Sequence, residues 1–200
     1  MSLAPPTDWI DGCTRAHTAL LADLEDLTDT QARQPSLLPD WSVGHLLTHI
    51  ARNADSVVRR LEGSIRGEVL TQYAGGIEGR AADIAAGAHR SAAELVADVR
   101  ASADAVDRLI TTLPPTVWDA RSLTSRGVEE DSRAVVFSRW REVAVHHGDL
   151  GLHAAPVPLP ADLVAEWLPV ELSGLPTRGD PAALLSWVIG RADAPDLEPW

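Results

Sequence analysis

The chain has 200 residues and a formal net charge of −12, a balance that excludes nucleic acid and anionic membrane as partners, since both need a basic surface. No apolar run reaches the roughly 20 residues that span a bilayer. The start, Met1-Ser2-Leu3-Ala4-Pro5-Pro6, lacks the basic and apolar regions of a secretion signal, and the single cysteine, Cys13, suits a reducing compartment, so the expected location is the cytoplasm.

Ile10, Cys13, Ala16, His17, Leu20, Leu21, Leu24 and Leu27 recur at three- and four-residue spacing and predict a helix from Thr7 or Asp8 to Gln34, ended by Pro35. A loop through Leu37, Pro39 and Trp41 leads to Ser42, an N-cap candidate with His45 at the third helical position, where the glutamate or glutamine of a full capping box is absent. A second helix is expected over Val43 to Leu61, with His49 among its buried positions. Gly63, Gly67, Gly75, Gly76 and Gly79 mark an irregular crossover around Val69, Leu70 and Tyr73.

A third helix, whole or in two parts, is expected from Glu78 to Leu113, closed by Pro114-Pro115. Trp118 and Leu123 fall in a looping segment, and a fourth helix is expected from Val128 or Glu129 to His147. The fold class is therefore mainly α: a four-helix bundle over residues 1–154, followed by a small C-terminal appendage over residues 155–200, possibly α/β. Pro156, Pro158 and Pro160 stiffen the join, and Pro181 opens a helix that Gly190 stops. About 45 residues are too few for a robust core of their own.

Chemistry concentrates in two helical pairs. Glu142 and His146 stand four apart, as do His45 and His49, so each pair shares one helix face. Across a bundle, His49, Glu142 and His146 make a two-histidine, one-carboxylate set of the kind that binds zinc, iron or nickel. Each also has an ordinary role open to it: an interior histidine, a solvated glutamate, or His147 in place of His146. The HExxH pattern of metalloproteases is absent.

The stretch Leu38-Pro39-Asp40-Trp41-Ser42-Val43-Gly44-His45-Leu46-Leu47-Thr48-His49-Ile50-Ala51 resembles the N-terminal motif of the mycothiol-dependent maleylpyruvate isomerases, within the DinB-like metal-binding bundle superfamily. So does Arg139-Trp140-Arg141-Glu142-Val143-Ala144-Val145-His146-His147-Gly148-Asp149-Leu150-Gly151, and Tyr73 and the run from Arg80 to Gly87 fit the same pattern. The resemblance implies zinc held by His49, Glu142 and His146, with mycothiol as the thiol cofactor, Tyr73 and His45 beside it, and Arg80 and Arg191 as catalytic cations for substrate carboxylates. It also implies a small thiol and a small electrophilic carboxylate as partners. The implied reaction is thiolate addition to maleylpyruvate, rotation about the new single bond, and elimination to fumarylpyruvate. An S-transferase acting on another electrophile and a non-catalytic, metal-stabilised bundle are the alternatives. Monomer and homodimer both stay open.

Overall fold

The computed structural model describes residues 4–197. The chain divides into two compact units between Pro158 and Leu159, four residues beyond the boundary expected from the proline pattern. The first unit is built on four long helices: α1 (Thr7–Asp23), α3 (Val43–Ile65), α5 (Ala92–Thr112) and α6 (Ser132–Asp149), with short α2 (Asp29–Ala32) and the crossover helix α4 (Gly76–Gly87) between them. α3 packs on α5 and α6, and α1 packs on the same two helices, so α1 and α3 form one diagonal of the bundle and α5 and α6 the other. α4 lies against α3.

The single first helix expected to reach Gln34 is broken. Thr28 and Gln31 form a reciprocal capping box, which satisfies the first N–H groups of a new helix and so starts α2. The expected third helix is likewise split, because Ser91 and Glu94 form a second capping box that begins α5. The fourth helix starts later than expected. Residues Glu129–Asp131 form a strand, β2, antiparallel to β1 (Arg121–Leu123), with Ser122 opposite Glu130. The ribbon is anchored from outside: Glu130 pairs with the buried guanidinium of Arg60 on α3. Asp131 then caps α6 by accepting from the Ala134 N–H at 2.8 Å.

The core holds Leu20, Leu46, Leu47, Ile50, Leu61, Leu95, Ile110, Val136 and Val143, together with Trp118 and Trp140. α1 approaches α6 closely at Gly12, where an added Cβ would sit 2.4 Å from Cε2 of Trp140. A charged group lies in this core as well. Arg139 on α6 donates from Nε to Nε2 of His17 at 3.0 Å, and from one terminal nitrogen to the Ile50 carbonyl at 2.8 Å and the Asn53 side-chain oxygen at 2.9 Å. His17 in turn donates from Nδ1 to Asp107 at 2.9 Å. One network thus ties all four long helices together. Removing one member of such a buried charged set costs about 3–5 kcal/mol.

The second unit contains α7 (Ala161–Gly174), a short 3-10 turn (Leu175–Thr177) and α8 (Pro181–Val188). Asp180 caps α8 by accepting from the N–H groups of Ala182 and Ala183. No strand occurs among its described residues, so this unit takes the all-helical option rather than α/β. No helix among the described residues is long and apolar enough to cross a membrane.

Candidate metal centre

α3 brings His49 to its inner face nearly two turns after the helix start at Val43, and α6 brings Glu142 and His146 to meet it. His49 Nε2 lies 3.2 Å from Glu142 Oε2 and 3.2 Å from His146 Nε2, and His146 Nε2 lies 3.5 Å from Glu142 Oε2. These edges describe a near-equilateral triangle. Ligands about 2.0–2.1 Å from a tetrahedral ion are separated by about 3.3 Å, so the three donors already stand at the spacing of one tetrahedral face. His49 is 5% exposed at its side chain, while His146 and Glu142 are 18% and 27% exposed. The open side of the triangle therefore lies on the α6 side.

Neighbouring groups orient both rings. His146 donates from Nδ1 to Asp149 Oδ2 at 2.9 Å, one turn further along α6, which fixes the proton on Nδ1 and turns Nε2 toward the triangle. On α4, Arg80 donates to His49 Nδ1 at 3.0 Å, and its guanidinium lies 5.9 Å from the Trp41 ring centroid and 5.8 Å from that of Tyr73. Trp41 also meets the His49 ring edge-on at 5.5 Å. An arginine held between two aromatic faces keeps its charge in place at small desolvation cost.

Burial opposes charge on all three triangle residues. Hydrogen bonds from both histidines nevertheless hold Glu142 well below the usual carboxylate range. At His146 the bonds to Glu142 and Asp149 outweigh burial and raise the imidazole above its ordinary value. At His49 burial outweighs Glu142, aided by the charges of His146 and Arg80, and the pKa falls. Without a metal, these shifts favour the Glu142 carboxylate as the anion and favour a proton on His146 over one on His49. A divalent cation suits this position better than that proton, because it satisfies all three donors at once.

The other expected site residues have different surroundings. His45 Nδ1 accepts from the Ser42 N–H at 3.3 Å and stands 2.7 Å from Ser42 Oγ, so the imidazole completes the capping box of α3 that a glutamate or glutamine normally completes. Tyr73 reaches the centre through Arg80. Arg191 lies in the second unit, exposed, with its N–H bonded to the Ser186 carbonyl at 2.7 Å. His147 turns away and bonds to Asp23. Two contributors were missed in the sequence: Asp149, whose signal was its three-residue spacing from His146, and Trp41, which lay inside the first motif.

A helical bundle with two histidines and a glutamate from facing helices defines the class: a bundle-borne candidate metal protein. Residues 13–151 match the family described as the mycothiol maleylpyruvate isomerase N-terminal domain, and the chain belongs to that family. Two solved structures, one of the mycothiol-dependent maleylpyruvate isomerase and one of a histidine-to-alanine mutant of it, each share the fold with a TM-score of 0.80. Each is 18% identical over 97% of this chain and 96% of the other. No curated protein sequence matches the chain.

Proposed function

We propose that this protein is a zinc- and mycothiol-dependent isomerase that converts maleylpyruvate to fumarylpyruvate. The observation that carries the proposal is the triangle of His49 Nε2, Glu142 Oε2 and His146 Nε2 at metal-ligand spacing, in a chain of this family. A zinc ion held there supplies a Lewis-acid position at which a small thiol is stabilised as its thiolate at neutral pH. This removes any need for an internal nucleophile, and Cys13 is unsuited to that role, since burial pushes its thiol up to about 12.

The chain's own residues then have defined tasks. Asp149 holds the His146 ring. Arg80, between Trp41 and Tyr73, presents a fixed positive charge for a substrate carboxylate and for the enolate that develops as thiol adds to the activated double bond. Rotation about the resulting single bond and loss of the thiol leave the trans product, with no net change in atoms or electrons. Arg191 is proposed as a second carboxylate-binding cation on the family resemblance alone, and the cytoplasm remains the proposed location.

The test is metal analysis of protein purified without chelators, followed by assay of maleylpyruvate with and without mycothiol. About one zinc per chain at the triangle and mycothiol-dependent fumarylpyruvate formation support the proposal. Absence of metal at the triangle overturns it. Conjugation of simple electrophiles without isomerisation reassigns the same site to S-transfer.

A further inference from the structure

Three clusters of metal-binding side chains occur among the described residues, and they differ in what occupies their donor atoms. In the cluster of Cys13, His17 and Asp107, the Nε2 of His17 accepts from the Arg139 guanidinium at 3.0 Å. A buried cation thus already sits where a metal would bind. The third cluster is Asp23, His147 and His153, and it has no such occupant. Asp23 ends α1, His147 lies on α6 next to His146, and His153 lies in the segment that follows α6.

Both imidazoles point the same kind of atom at one carboxylate oxygen. His147 Nε2 stands 2.6 Å and His153 Nε2 2.7 Å from Asp23 Oδ2, with the three donor atoms within 4.8 Å of one another. The donor types repeat those of the primary triangle, two imidazole nitrogens and one carboxylate oxygen, here drawn from three chain segments rather than two helices. His147 is nearly buried at 10% side-chain exposure, whereas Asp23 and His153 are 34% and 44% exposed, so the cluster opens to solvent.

We infer that Asp23, His147 and His153 form a second site for a borderline divalent cation such as zinc, which clamps the end of α1 and the segment after α6 onto α6. Two imidazoles and a carboxylate favour such an ion over magnesium or calcium, which prefer oxygen ligands. The contacts are at hydrogen-bond length, so the ligands must separate by roughly 0.6–0.7 Å to reach the tetrahedral spacing of about 3.3 Å. The primary triangle needs no such opening. The second site is accordingly the weaker of the two and remains reversible at ordinary zinc concentrations.

The experiment is zinc titration by calorimetry, with thermal unfolding followed in parallel, on tag-free, metal-stripped protein. The wild type, His49→Ala, His153→Ala, Asp23→Asn and the His49→Ala/His153→Ala double variant are compared. Expected are two equivalents in the wild type, one in each single variant and none in the double. The weaker equivalent, with its zinc-dependent rise in Tm, is lost in His153→Ala and Asp23→Asn. His153 is exposed and its replacement leaves the bundle core untouched, so a folded variant is assured a reading. One equivalent in the wild type that survives in His153→Ala overturns the second site and leaves the triangle standing. One equivalent lost in His153→Ala but kept in His49→Ala overturns the triangle and retains this site. No binding at all overturns both.

Discussion

Arg80 donates to Nδ1 of His49 at 3.0 Å, from the opposite side of the ring to Glu142 and His146. This bond requires a lone pair on Nδ1, which places the ring proton on Nε2. A metal at Nε2 requires the reverse tautomer, with two donors then facing each other across Nδ1. Loading the triangle therefore releases Arg80 from His49 and leaves its charge available to an anionic substrate. A hydrogen bond involving a charged group contributes about 1.5–3 kcal/mol. Arg80→Met is expected to tighten zinc binding by about tenfold or more in calorimetry while depressing isomerisation. Weaker zinc binding in this variant would sink the tautomer argument.

Asp149 acts on the site only through His146. Asp149→Asn keeps the side-chain shape, and the bond from the Leu37 N–H to the Asp149 backbone carbonyl at 2.8 Å is unaffected. Loss of a carboxylate partner behind a metal-bound histidine lowers metal affinity about 10- to 100-fold. The expected outcome is that loss in zinc titration, with an unchanged far-UV spectrum and little change in metal-free Tm.

Gly12 exists to admit Trp140. Gly12→Ala puts a methyl within 2.4–2.8 Å of the indole ring atoms, and overpacking of this kind costs about 1–3 kcal/mol. Denaturant unfolding should show a lower midpoint at unchanged slope. A neutral result would mean that α1 slides along α6 without cost.

His17 sets part of the acid limit of the fold. Burial, opposed by the bond to Asp107 and reinforced by Arg139, lowers its pKa below 6.5. Its folded value lies below the unfolded one, so the unfolded chain takes up more protons as the pH falls through about 6.5. The stability it contributes is complete above that point and declines toward the folded value. Metal-free protein should lose stability on acidification from pH 7 to 5, and His17→Gln should flatten that part of the curve even though its stability at pH 7 is lower.

The helical plan and the Glu142–His146 pair are legible because both rest on local spacing, whereas the pairing of His49 with them, 93 positions from Glu142, rests on the family resemblance. Apolar residues at three and four places apart outline the helices, and Glu142 and His146 share a face by the same rule. The break after Asp23 and the ribbon at Glu129–Asp131 were not legible. Acidic residues suit a helix start as well as a cap, and the strand is imposed by pairing with Arg121–Leu123 and by Arg60 on a distant helix. Arg139 shows the limit most clearly. It stood at the head of a recognised motif, yet its core role depends on His17, 122 positions away, and on Asn53, 86 positions away. His45 was identified in the right place beside Ser42, but an imidazole serving as the acceptor of a capping box has no compositional signature.

Gly44 adds a consequence for altering this protein. A Cβ there would lie 2.2 Å from the carbonyl oxygen of Ala88, so main chain meets main chain where α3 begins. That contact acts as a datum for the axial position of α3, and His49 lies five residues further along the same rigid rod. A neighbouring side chain can absorb a change by turning to another rotamer, but a main-chain carbonyl cannot. Libraries that diversify the pocket around Trp41, Tyr73 and Arg80 therefore have freedom in their side chains, whereas changing a residue with no side chain at all would move the origin from which the whole centre is measured.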